Sequence, residues 1–418
     1  MSHFVLADCN NFYASCERLF NPKLNGIPVI VLSNNDGCVV ARSQEAKKIG
    51  IKMGQPYFQI KDFCRLHRVA VYSSNYRLYG DLSERVMNVL TEASPEIEIY
   101  SIDEAFMRFS TSSPDDLVAT CVKLRQKVKK WVGLPISLGI APTKTLAKIA
   151  NDLAKKDQTG VFNLSSPIVQ KEVLQKYPIG DVWGIGSNLS ARLRGMSILT
   201  AWDFKEMDPS IIRKKLGVVG ERMLWELRGL SCLQLEEAKA KKSITSSRSF
   251  GKVVTEKEEI AEALATFVST ACVKLRAQGS CANAISVFLE SLEGDQNMRR
   301  HFSMVKTFPF PTSDTAQMIS AAKQILSKIF VPDERYKKCG IILLDLIAND
   351  LVIPDLFLGG LNPKRTALMQ TVDNINARYG KNTVFFCALG TNPQWKMRSD
   401  KRSQYSTTDW LALPIVKA

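Results

Sequence analysis

The sequence predicts a multidomain α+β chain: a ferredoxin-like βαββαβ sheet with an insertion after its first strand, a helical helix-hairpin-helix segment, a further α+β unit and a small C-terminal region. Three observations predict it. Residues 4–7 (FVLA) form a short apolar run that closes on Asp8. Two strand-like runs flank the adjacent acids Asp103 and Glu104, which reads as a β-hairpin with its acids near the tip. Helical patterns separate these strands from another at residues 135–141, so the order is strand, helix, hairpin, helix, strand.

The first strand, residues 4–8, leads into a helix carrying Phe12 and Tyr13. The insertion holds apolar runs at 27–32 and 38–41 around the turn-forming Asn34-Asn35-Asp36-Gly37, then a helix over 43–49. A helix over 83–93 leads to the hairpin, where Ile97 and Ile99 alternate with Glu96 and Glu98. Beyond the acids, Phe106, Met107 and Phe109 resume the apolar pattern around Arg108. Leu117, Cys121, Leu124 and Val128 mark one face of a helix over 117–132. Thr143 is placed to cap a helix running to Asp152.

Residues 178–193 contain Gly184-Ile185-Gly186 between helical patterns, and a similar turn recurs at 216–221. Such hairpins expose backbone amides that bind a nucleic-acid phosphate without reading sequence. A Lys- and Ala-rich tether at 236–243 precedes the second α+β unit, with strands at 246–251, 284–289 and 338–347 and helices at 258–278 and 315–330. A helix over 369–379 and a basic, Ser/Thr-rich stretch at 395–410 complete the reading.

Side chains alternate along a strand, so consecutive acids share a face only where the chain turns. Two carboxylates held together repel unless a proton, a Lys or Arg, or a divalent cation intervenes. Hard oxygen donors favour magnesium or manganese. With Asp8 beside the hairpin, three carboxylates would converge at one sheet edge and could bridge two metal ions about 4 Å apart for phosphoryl transfer. The plain alternative is that each acid caps a strand end or turn and faces water.

The chain has 56 Lys and Arg against 41 Asp and Glu, a net charge of +15 that no single tail carries. A basic surplus spread over several folded segments suits a partner that touches several of them, as a nucleic-acid duplex does; a surface tuned for solubility is the simpler reading. Ten cysteines without a C-x-x-C pair, and only His3, His67 and His301, make a zinc site improbable and argue against a histidine-based hydrolase. The cysteines read as reduced core residues of a cytoplasmic protein. The N-terminus does not read as a signal peptide, and no uncharged apolar run has the length of a membrane span.

The strings ADCNNFYASCE (7–17), VLSNNDGCVVARSQEAKKIGIKMG (31–54), YSSNYRLYGDLSERV (72–86), YSIDEAF (100–106) and GIAPTKTLAKIAND (139–152) together resemble the Y-family, or translesion, DNA polymerases. The match is nearest to the UmuC subfamily, the catalytic subunit of bacterial DNA polymerase V. The resemblance implies a palm at 1–20 and 77–170, fingers at 21–76, a helix-hairpin-helix thumb at 171–235, a little finger at 243–350 and a C-terminal partner-binding region at 351–418. It implies template-directed, error-prone DNA synthesis in the SOS response to DNA damage. Asp8, Asp103 and Glu104, with the Cys9 carbonyl, would hold two magnesium ions. Phe12 and Tyr13 would bind the nucleotide, with Tyr13 the steric gate beneath its sugar. Lys47, where many relatives carry Arg, and Lys155 would meet the triphosphate; otherwise Lys47 is part of a solvated helix face.

The expected DNA contacts are Thr143 and Lys144, the hairpin glycines Gly184 and Gly186, and Arg248, with Arg276 a further choice because a DNA face on the second α+β unit must be locally basic. Leu356-Phe357 keeps the ending of a sliding-clamp motif, although Ile353 replaces its usual Gln. Implied partners are primer-template DNA, deoxynucleotides, the UmuD′ dimer, RecA and the clamp. Two rivals stand beside this reading. A nucleotidyl cyclase also sets acids on a βαββαβ sheet but needs neither thumb hairpins nor a basic surplus. A non-catalytic DNA- or RecA-binding protein would carry the acids only as relics.

Overall fold

Strand β1 (Ser2–Cys9) is central in a five-stranded sheet and buried on both faces, which is why residues 4–7 read as unbroken apolar sequence rather than an alternating one. The computed structural model describes residues 2–110, 114–236, 240–293, 298–353, 362–391, 395 and 399–409. The chain divides into two units, one of residues 1–33, 37–238 and 400–418, the other of residues 34–36 and 239–399.

In the first unit, β2 (Val29–Leu32), β3 (Val39–Arg42) and β4 (Ala70–Ser73) form a small sheet ordered β3-β2-β4, with β2 and β4 parallel. The predicted helix over 43–49 is observed at Gln44–Lys48, its first turn capped by the Ser43 hydroxyl. The main sheet adds the hairpin β5 (Ile97–Ile99) and β6 (Glu104–Ser110), then β7 (Ile136–Ala141) and β8 (Val161–Asn163), in the order β5-β6-β1-β7-β8. Its first four strands have the ferredoxin-like arrangement, and β8 is an extra strand parallel to β7. Val5, Ala7 and Cys9 pack with the Phe12–Phe20, Tyr76–Ala93 and Pro114–Trp131 helices on one face. Phe4 and Leu6 face a second core, built with the Lys144–Ala154 helix and the helices between residues 167 and 227.

The Lys144–Ala154 helix lies so close to the sheet that a Cβ at Gly139 would sit 2.2 Å from the Asn151 backbone nitrogen, so only glycine fits there. Asn151 donates its side-chain amide to the Leu6 and Ser137 carbonyls, pinning the helix across β1 and β7. Glu226, wholly buried, holds the start of that helix by accepting from the Thr145 backbone N–H at 3.0 Å. Its other oxygen accepts from the Cys232 and Leu233 N–H groups at 2.7 and 3.1 Å. Glu226→Ala is therefore expected to strand the buried Thr145 donor and two part-buried ones, at Cys232 and Leu233, and cost about 2 kcal/mol or more, read as a lower melting temperature. Glu226→Gln, which keeps an acceptor oxygen, should lose less.

The second unit contains β9 (Ile244–Val254), β10 (Ser280–Glu293), β11 (Met298–Thr312) and β12 (Tyr336–Ala348), ordered β11-β10-β12-β9, with the Lys257–Ala277 and Thr315–Ile329 helices packed on it. Strand β11 escapes the sequence reading. It is an edge strand that accommodates Pro309 and Pro311, residues that argue locally against a strand. The Pro363–Tyr379 helix starts six residues before its predicted bound, where Asn362 caps it. All ten cysteines are free, and seven are buried. Among the described residues no helix is long and apolar enough to cross a membrane.

Candidate active site

The antiparallel register of β1 and β6 sets Asp8 directly opposite Glu104. The turn before β6 returns Asp103 beside β1, where its carbonyl accepts from the Cys9 N–H at 2.8 Å. All three predicted acids thus come to one end of the central strand pair. Their side chains do not close into a triad: Asp103 Oδ1 accepts the Ser101 hydroxyl at 2.7 Å, while Asp8 and Glu104 each take an ammonium. Among the described residues no three His, Cys, Asp or Glu side chains form a group ready to hold a metal ion. Like charges at close range turn toward positive partners, and here those partners are lysines.

The lysines come from the Lys144–Ala154 helix. Lys148 Nζ is 2.7 Å from Glu104 Oε2, and Lys155 Nζ, at the helix end, is 2.9 Å from Asp8 Oδ2. Positions 148, 151 and 155 share one face, so the helix that anchors itself through Asn151 delivers both ammoniums to the acids. Sequence reasoning named Lys155 and missed Lys148, although the seven-residue spacing was there to be seen. Burial pushes the Asp8 carboxyl up to about 7; Glu104 adds to this by repulsion, and Lys155 offsets only part of it. Burial works against the charge of Lys155, but Asp8, Asp152 and Glu104 outweigh it and raise its pKa.

The donors fit a hard divalent cation. They are carboxylate oxygens, Asp8 among them buried enough to resist ionisation, and a cation there would relieve both its burial and the repulsion from Glu104. The Cys9 thiol is no competitor, because burial and then Asp8, Asp103 and Glu104 push its pKa well up and keep it protonated. A carbonyl is the donor that Cys9 has to offer.

Lys47 is close enough to feel this site. Burial lowers its pKa, and Arg42 and Lys155 lower it further, while Asp8 and Asp152 act in the opposite sense. Arg42, Lys47 and Lys155 thus form a cationic group beside the acids, and Arg42 is a member that the sequence reading did not name. Arg42 donates to the Ile51 carbonyl, and its Nε is a buried donor with no partner among the described residues.

Tyr13 is half-buried and stacks on Tyr79 with centroids 4.4 Å apart and planes at 16°. Tyr76 meets its edge at 6.1 Å. Burial, with Tyr76 and Asp103, pushes the Tyr13 hydroxyl up to about 12. Phe12, predicted with it, is instead a buried core side chain, since the first helix turns that position into the sheet.

The predicted DNA contacts divide. Thr143 is 0% exposed, caps its helix and donates to the Glu226 carbonyl; Lys144 is 3% exposed, pairs with Glu98 at 2.5 Å and donates to the Gln234 carbonyl. Both side chains are consumed inside the fold and cannot reach a DNA surface as placed. Gly184 has φ of +91° and is exposed, and Gly186 caps the Ser187–Arg194 helix with no side chain of its own to offer. A matching turn occurs at Gly217, with φ of +71°, inside the Pro209–Leu227 segment.

In the second unit Arg248 is exposed on edge strand β9. Arg276 grips Asp373 with two hydrogen bonds at 2.6 and 2.8 Å and is a structural pin, not a free cation. Leu356 and Phe357 lie outside the described residues.

The impB/mucB/samB family model matches residues 7–152, and the model of that family's C-terminal domain matches residues 241–356. A domain of unknown function, DUF4113, matches residues 366–416. Protein UmuC of Salmonella typhimurium is 43% identical over 99% of this chain and 100% of its own length. Protein MucB of Escherichia coli is 38% identical over 99% of both chains. DNA polymerase IV of Pelotomaculum thermopropionicum is 28% identical over 91% of this chain and 93% of its own. A solved Y-family DNA polymerase chimera superposes on 83% of the chain and all of its own, with a TM-score of 0.66 at 22% identity. Full-length identity, family match and fold agree: the chain belongs to the impB/mucB/samB family, as a UmuC-type Y-family polymerase of translesion DNA synthesis.

Proposed function

We propose that this chain extends a primer 3′-hydroxyl opposite damaged template bases by two-metal-ion nucleotidyl transfer, with Asp8, Asp103, Glu104 and the Cys9 carbonyl holding magnesium. The observation that carries the reading is the register that sets Asp8 against Glu104, with Asp103 hydrogen-bonded to Cys9. Bound there, two magnesium ions would activate the primer hydroxyl and neutralise charge on the departing pyrophosphate. Lys155 and Lys148 hold the acids' charge in check in their absence. Lys47, Arg42 and Lys155 draw in the triphosphate, and Tyr13 excludes a 2′-hydroxyl by occupying its space.

In this reading residues 1–20 and 77–170 are the palm, 21–76 the fingers, 171–235 the thumb and 243–350 the little finger. Gly184 and Gly186 offer amides to a DNA phosphate, and Arg248 a charge. Residues 351–418 serve contacts with UmuD′, RecA and a sliding clamp, in the SOS response of the cytoplasm.

The test is primer extension by the full chain with magnesium, with and without UmuD′ and activated RecA. Extension past a lesion supports the proposal. Absence of extension under every condition, with a cyclic nucleotide product formed, would replace it by a cyclase. Lys155→Ala is expected to raise KM for deoxynucleotides about tenfold with a smaller change in kcat, since it removes charge from the binding step. Steady-state kinetics check the split.

A further inference from the structure

The C-terminal strap, residues 400–409, belongs to the unit that holds the acids, although residues 362–399 belong to the other. It is tied down by specific bonds. Lys401 and Ser73 exchange two hydrogen bonds, at 3.0 and 3.1 Å. Asn75 donates its amide to Ser403 Oγ at 2.9 Å and to the Ser403 and Gln404 carbonyls. Arg77 donates to the Thr408 carbonyl, and Arg77 and Arg402 both lie over the Tyr405 ring.

The strap also reaches inward. Ser403 Oγ donates to Glu17 Oε1 at 3.1 Å, and the same oxygen accepts the Tyr79 hydroxyl at 2.5 Å. Glu17 is buried on the helix that carries Tyr13, one turn further on, and burial raises its pKa despite both donors. Tyr79 is wholly buried and stacks on Tyr13. Asn75, which holds Ser403, also caps the helix that carries Tyr76 and Tyr79 by accepting from the Leu78 N–H. A single strap residue therefore bridges the helix that carries Tyr13 and the helix that supplies the Tyr76 and Tyr79 rings around it.

We propose that Ser403, Glu17 and Tyr79 are positioning residues for Tyr13, so that the strap sets how strictly the polymerase excludes ribonucleotides. This rests on the steric-gate reading of Tyr13. The hydrogen bonds fix the Tyr79 ring against its neighbours, and the Tyr79 ring backs the gate. A strap that only fastened the chain terminus would need neither the bond to a buried carboxylate nor a link to the stacked ring.

The test compares kcat/KM for ribo- and deoxyribonucleotides in the full chain, in the same extension mixture. The ratio is internal to each preparation and does not move with the fraction folded. Ser403→Ala and Tyr79→Phe are each expected to raise relative ribonucleotide use about fivefold, the scale of one lost hydrogen bond, and Ser403→Thr to restore it. If Tyr13→Ala raises the ratio while both other variants stay within about twofold of the parent, the positioning role is overturned and the gate stands. If Tyr13→Ala leaves the ratio unchanged, the gate reading falls and this inference falls with it.

Discussion

Asp8→Asn is expected to slow primer extension by about 10³-fold or more, yet to melt no earlier than the parent chain. The amide keeps the shape of the carboxylate and still accepts from Lys155 Nζ, so the geometry of β1 between β6 and β7 is retained. What disappears is charge. In the fold that charge is a burden, because burial pushes the carboxyl up to about 7 and Glu104 lies opposite it. Replacing it with a neutral isostere offsets the lost ion pair, and a gain of about 1 kcal/mol is the expected scale. In the reaction the same charge helps to hold the cations, and there nothing replaces it. Single-turnover extension and thermal melting check the two halves separately. Near-parental extension would remove Asp8 from the chemistry, whereas early melting would show that its charge supports the fold.

Tyr13→Ala should raise relative ribonucleotide incorporation by about 10²-fold. The ring is backed by Tyr79 at 4.4 Å and flanked by Tyr76 at 6.1 Å, so it cannot swing aside to admit an extra oxygen. Its hydroxyl, pushed up to about 12, stays neutral through the working pH range, so the barrier is one of volume and not of charge. Tyr13→Phe keeps the wall and should stay near the parental ratio. Competition between ribo- and deoxyribonucleotides at one template position checks both variants. An unchanged ratio in Tyr13→Ala would end the gate role.

Where local pattern and tertiary environment agreed, the reading succeeded. The order of strands and helices around the acids was legible because β1, β6 and β7 are dense in apolar residues and bounded by turns. In the helix over 76–93 the local pattern becomes helical only from 83, because Gly80 and Asp81 are poor helix formers near its start, and the Asn75 cap lies still further back. Thr143 was correctly read as a cap, but a cap buried under the Glu226 carbonyl has no surface left for DNA. Lys144 shows the same limit. A lysine in a polar-looking run is expected in water, and nothing local announces that Glu98, 46 residues away, will take it inside.

The sequence by itself determined the order of strands and helices around the acids, and that acids close the first strand and the hairpin. Periodicity and turn chemistry are short-range properties and are written in neighbouring residues. Only the tertiary structure decided which charges meet. Lys155 reaches Asp8 across 147 positions, and Ser403 reaches Glu17 across 386. Those pairings depend on strand order, on a glycine that lets one helix lie against the sheet, and on where the strap comes to rest. None of these has a local pattern, because each is settled by packing among segments far apart in the chain.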